Sequence, residues 1–136
     1  MNPLSVRLKD INEAGIHQLN CTVDELRAAA RQAEFALFEM DLADVQSKGE
    51  FLAAFAQAIN APDWFGMNWD AMADALDDFS WQPAAGYILL LHHSTGQQIL
   101  SALDHSEADY NTMNEIFADT VDFWKTQNKP FWIFFC

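Results

Sequence analysis

At 136 residues, about half of them apolar, the chain has the size and composition of one globular domain that builds its core without disulfide staples. Its 20 acids against 7 bases leave a net charge of −13. That argues against binding nucleic acid or an anionic membrane through the protein's own field, and favours a basic partner. The N-terminus, MNPLSVRLKDINEAG, has no apolar h-region, so no signal peptide is expected. The longest apolar runs, Tyr87 to Leu91 and Phe131 to Cys136, are too short to span a bilayer. Cys21 and Cys136 lie far apart in sequence. They allow one disulfide, but the preferred reading is two free thiols in a reducing cytoplasm.

No internal repeat, low-complexity tract or linker interrupts the chain. Residues 1–14 read as a polar lead-in and Ile16 to Asn20 as a short strand. Thr22 with Glu25 predicts a capping box opening a helix that runs to about Ala33. Phe35 to Asp41 alternates and predicts a strand, and Leu52, Phe55 and Ile59 predict a helix over Gly49 to Asn60, stopped by Pro62. Asn68 is a good N-cap for a further helix to about Phe79. Pro83 and Gly86 punctuate a loop before Tyr87 to His92, a continuous apolar run typical of a strand buried on both faces. Ser106 with Asp109 marks another helix start, with Tyr110, Met113, Phe117, Val121 and Trp124 as its inner stripe. Asn128-Lys129-Pro130 stops it before a last strand, Phe131 to Phe135. Strands separated by helices imply parallel pairing with right-handed crossovers, hence an α/β domain with a mainly parallel sheet of three or four strands.

The helix from Asn68 to Phe79 concentrates the charge. At ~100° per residue, Trp69, Met72, Leu76 and Phe79 share a sector of roughly 80°. Asp70, Asp74, Asp77 and Asp78 share a sector of about 100° centred nearly opposite. No lysine or arginine lies between Lys48 and Lys125, so no sequence neighbour neutralises them. Asp70 and Asp74 form a like-charge i,i+4 pair, and Asp77 and Asp78 sit near the unfavourable end of the helix dipole. A charge run is ordinarily a solvated face. Such faces mix signs for stability, however, and this one forgoes that help, which points to a functional face.

Around this helix the sequence resembles the barstar family of ribonuclease inhibitors. The segment Asp63-Trp64-Phe65-Gly66-Met67-Asn68-Trp69-Asp70-Ala71-Met72-Ala73-Asp74-Ala75-Leu76 matches the family signature without a gap. That signature is an aromatic pair, Gly, any residue, Asn, apolar, Asp-Ala, apolar, any residue, Asp, any residue, Leu. The flank Asp77-Asp78-Phe79-Ser80-Trp81, the strand from Gly86 to Leu90 and the ending from Pro130 agree too. The resemblance covers about residues 35–136. Residues 1–34 then form an N-terminal extension, in which 16–34 read as an extra strand and helix.

The resemblance implies an immunity-type inhibitor of a basic ribonuclease. An inhibitor of this kind inserts its acidic helix and the preceding loop into the enzyme's active site, with carboxylates in the place of substrate phosphates. By motif position, Asp74 is the central plug against the enzyme's arginines and catalytic histidine, Asp70 its neighbour, and Trp64 the aromatic that packs on the histidine. Phe65, Gly66, Met67, Asn68 and Ala73 accompany them, with Asp77 and Asp78 as rim and steering charges; Trp81 flanks the helix and reads as either core or contact. Family members also use an acid on the last helix. Asp119 and Asp122 are both near, neither in ungapped alignment from the C-terminus, and Asp122 is carried as the candidate. Ala73 stands where the best-known member has a bulky aromatic, which changes the shape of the contact. The protein is expected to be a cytoplasmic, non-enzymatic monomer when free, without cofactor or metal.

Two alternatives stand beside this reading. One is an interaction or regulatory module of the same fold that binds another basic protein and inhibits no nuclease. The other is an enzyme holding Mg²⁺ on the clustered aspartates, which requires carboxylates converging on one ion, whereas acids at i, i+4 and i+7 spread along a helix. Other residues offer less. His92 and His93 are adjacent in a strand and face opposite ways, so they do not easily share an ion. Asp41 and Asp44 follow a strand but have no glycine-rich phosphate loop near them in sequence. His105 falls in a loop without an evident partner, and Cys136 has no recognisable activating neighbour. Trp69, Trp124 and Trp132 are expected in the core.

Overall fold

The computed structural model describes residues 3–136. The described chain runs α1 (Pro3–Leu8), β1 (Ile16–Gln18), α2 (Val23–Ala33), β2 (Ala36–Asp41), α3 (Lys48–Ile59), α4 (Trp69–Leu76), β3 (Tyr87–His92), α5 (Gly96–Ala102), α6 (Glu107–Thr126) and β4 (Phe131–Phe135). The strands form one sheet in the order β1-β4-β3-β2, and every pairing is parallel. Each return from one strand's end to the next strand's start needs a crossover, and the helices supply it. Among the described residues, no helix is long and apolar enough to cross a membrane.

The apolar runs of β3 and β4 are explained by two cores. Leu37, Ile88 and Trp132 lie in one register row, and Phe38, Leu89 and Ile133 in the next. Successive rows point to opposite faces of the sheet. The Phe38 row packs on α3, α4, α5 and α6 through residues such as Phe55, Met72, Ile99 and Phe117. The Leu37 row packs on α1 and α2 through Leu8, Leu26 and Ala30. All five residues of β4 are therefore buried.

The local signals at the helix starts hold. Thr22 Oγ1 accepts from the Glu25 amide at 3.0 Å while Glu25 Oε1 accepts from the Thr22 amide at 3.2 Å, a complete capping box. Ser106 Oγ caps α6 by accepting from the Asp109 amide at 3.1 Å. Three expectations need correction. The lead-in, whose first two residues lie outside the described residues, contains the helix α1. Leu8 is fully buried there, and its carbonyl accepts the Trp132 indole N–H at 2.9 Å. The helix α5 was not expected, although Thr95 and Gln98 form its capping box. Finally, α4 stops at Leu76 rather than near Phe79. Phe79 adopts a left-handed backbone, φ 52°, that turns its ring into the core against Phe38 and Tyr87, with centroids 5.0 and 4.8 Å away.

Candidate partner-binding face

The face is built on α4 and the loop that feeds it. Asn68 adopts an extended backbone, and its Oδ1 accepts from the Ala71 amide at 2.7 Å, which starts the helix. Its Nδ2 donates back to the Gly66 carbonyl at 3.3 Å. A Cβ on Gly66 would stand 3.3 Å from that same Nδ2, so a larger residue there would press on the cap. Ala71, Met72, Ala75 and Leu76 are the buried residues of α4. Asp70 and Asp74 are exposed on the opposite side, as the angular sectors predict, and Ala73 is half-buried between them.

The loop presents apolar groups beside these acids. Trp64 and Met67 are each 51% exposed, unusual for side chains of that size. Met67 holds a left-handed backbone, φ 53°. Phe65 instead turns inward toward Phe55, centroids 5.9 Å apart. Trp64 meets Trp81 edge-on at 6.1 Å. Trp81 is itself tied down, its indole N–H donating to the Ile59 carbonyl at 2.9 Å and its ring tilted on Phe79. Trp81 therefore supports Trp64 from behind.

Asp77 and Asp78 leave the helix because α4 ends before them. Asp77 caps it with φ −91° and ψ 0°. Burial, then the charges of Asp74 and Asp119, push the Asp77 carboxyl above its ordinary range. The charges of Asp74 on α4 and Asp119 on α6 thus both act on Asp77. On α6 the Asp119 charge acts on Asp77, and Asp122, the candidate from sequence, lies one turn further on; both are exposed. Asp78 is turned locally, its two carboxylate oxygens accepting from the Ser80 amide and hydroxyl at 3.3 Å each. Among the described residues, the ion pairs lie elsewhere and none involves an acid of α4. The face remains uncompensated.

Two indole hydrogen bonds fasten α4 to α6. Trp69 Nε1 donates to Asp109 Oδ1 at 3.1 Å, and Trp124 Nε1 donates to the Leu76 carbonyl at 2.7 Å. Trp124 and Trp132 are buried as expected, but Trp69 is half-buried, with Phe51 against its ring and Lys48 Nζ 5.9 Å from its centroid.

A second polar cluster sits at the carboxyl ends of the strands. Arg27 grips both oxygens of Glu39 at 2.8 and 2.9 Å, and Glu39 also meets His92 Nε2 at 2.8 Å. His93 Nδ1 pairs with Asp41 at 2.7 Å. The two histidines therefore take different acids, and among the described residues no three metal-ligating side chains converge. Cys136 does have a neighbour unseen in sequence, His92 Nδ1 at 3.7 Å from its Sγ. Burial, then Glu39 and Asp41, push the Cys136 thiol up, the opposite of activation. Cys21 and Cys136 are both free.

A family model described as barstar (barnase inhibitor) matches residues 35–136. Comparison with curated proteins gives no match.

Proposed function

The chain belongs to the barstar family, and on that premise we propose that it inhibits a basic ribonuclease by inserting α4 and the Trp64–Asn68 loop into the enzyme's active site. The observation that carries this reading is the uncompensated acidic face of α4, flanked by exposed Trp64 and Met67. A nuclease cleft must be cationic to hold RNA, and carboxylates fixed on a folded helix match it without reorganising. Asp74 is assigned as the central plug and Asp70 as its neighbour. Trp64 packs on the catalytic histidine, and Phe65, Gly66, Met67, Asn68 and Ala73 shape the contact. Asp77, Asp78 and Trp81 form the rim. On α6 we assign Asp119 in preference to Asp122, because the Asp119 charge acts on Asp77.

Pull-down and inhibition assays with barnase, and with any basic ribonuclease encoded beside the gene, test the reading. Removing one member of a desolvated ion pair costs about 3–5 kcal/mol, roughly a hundredfold to a few thousandfold in affinity. That loss is expected for Asp74→Ala, with smaller losses for Asp70→Ala and Asp119→Ala and little change for Asp122→Ala. Inhibition that survives both Asp74→Ala and Asp70→Ala would reject the proposed plug. Ala73, small where the best-known member is bulky, keeps the non-inhibitory module as a second reading. That module predicts a complex with another basic protein that depends on the same acids, with no nuclease inhibited.

A further inference from the structure

The short helix that carries the acids is held at its first turn by the Asn68 cap, by buried Ala71 and Met72, and by one bond to another helix. It has eight residues, too few to be stable alone, and its exposed side repels itself. The loop before it leaves Trp64 and Met67 in solvent. At the far end the Trp124 indole secures a backbone carbonyl, Leu76. At the near end the contact runs from side chain to side chain, Trp69 Nε1 to Asp109 Oδ1, and so depends on what residue 109 is.

Asp109 is the third residue after the cap of α6, the position that Glu25 holds in α2 and Gln98 in α5. Those two side chains reach back to their own cap amides. The carboxylate of Asp109 is instead taken by an indole 40 positions away in sequence. It thus joins the first turn of α6 to the first turn of α4, beside the Asn68 cap that carries the loop.

We propose that Asp109 is a positioning residue for the partner-binding face: through Trp69 it sets the first turn of α4, and with it the direction in which Asp70 and the Trp64–Asn68 loop meet the enzyme. The proposal rests on the reading of this face as the inhibitory one. Asp109 itself makes no contact with the partner. What it supplies is an acceptor oxygen rather than a charge.

The test compares Asp109→Asn and Asp109→Ala, each alone and in a Trp69→Phe background. Two readouts are taken: affinity for catalytically inactive barnase, and amide hydrogen exchange at Ala71 and Met72 of the free protein. Losing one ordinary hydrogen bond changes an equilibrium about fivefold, so Asp109→Ala is expected to weaken binding by about that factor and to speed exchange at α4's first turn. Asp109→Asn keeps an acceptor and is expected to restore both. In Trp69→Phe, which has no N–H, Asp109→Ala should add nothing. A loss for Asp109→Asn equal to that for Asp109→Ala would make Asp109 a direct charge contact and overturn the proposal. A full Asp109→Ala effect in the Trp69→Phe background, or exchange that does not respond, would do the same. If the parent protein fails to bind barnase, the inhibitory reading for that enzyme fails, and the exchange data still decide whether Asp109 sets α4.

Discussion

Asp77 bears the local cost of the acidic face. Burial and the charges of Asp74 and Asp119 raise its carboxyl above the ordinary value of 3.8. A raised carboxyl holds its proton more tightly in the folded state than in the unfolded one. Ionising it therefore removes stability as pH rises above about 3.8, and the loss is complete once pH passes the raised value. Asp77→Asn is expected to stabilise the free protein at neutral pH, with the gain fading as pH falls toward 3.8. Urea unfolding of the two proteins across that range measures it. The sign would reverse for a residue chosen for stability. At this scale the sequence already exposed Asp70 and Asp74 through their angular positions. It did not expose the neighbourhood of Asp119 and Asp77, because that depends on how α6 lies against α4 and no spacing rule reports it.

At the scale of elements, caps explain what was legible. Thr22 with Glu25, Asn68 and Ser106 announced α2, α4 and α6, since a cap is a contact within four residues and needs no tertiary knowledge. Thr95 with Gln98 carried the same signal for α5. The helix α1 carried no such cue, since six residues are too few to show a periodicity and its place is fixed by Leu8 meeting Trp132. The helix α4 ends early, and Phe79 beyond it joins the aromatic cluster of Phe38, Tyr87 and Phe131, a packing no local signal announces. Because α4 is short, its cap should matter. Asn68→Ala is expected to cost about 1 kcal/mol of stability. It should also weaken ribonuclease binding beyond what that destabilisation explains, because it frees the Gly66 end of the loop. Denaturant unfolding and titration calorimetry separate the two effects.

Across the whole molecule, a net charge of −13 should steer a basic partner. The association rate with a basic ribonuclease is expected to fall steeply as salt is raised through physiological strength, where charges more than about 8 Å apart are screened, while the dissociation rate changes little. Stopped-flow measurement at two salt concentrations checks this. The N-terminal segment makes a different prediction. Residues 3–34 lie outside the matched stretch 35–136, yet they cover Ile88, Leu90, Trp132 and Phe134 on one face of the sheet. A fragment beginning at Phe35 is expected to expose that face. Self-association in sedimentation, together with dye binding absent from the parent chain, is the outcome to look for.

The sequence by itself determined the strand-and-helix order around the site, the parallel sheet and the one-sided charge of α4. Each follows from periodicity, caps and motif spacing, which act over a few residues. Only the tertiary structure decided which acid of α6 acts on Asp77, which indole anchors which carboxylate, and what covers the second side of the sheet. Those are contacts between residues distant in the chain, set by how the helices pack. The acids of α4 were readable as a face. That Asp109, 40 positions beyond Trp69, accepts the indole at the start of that helix was not.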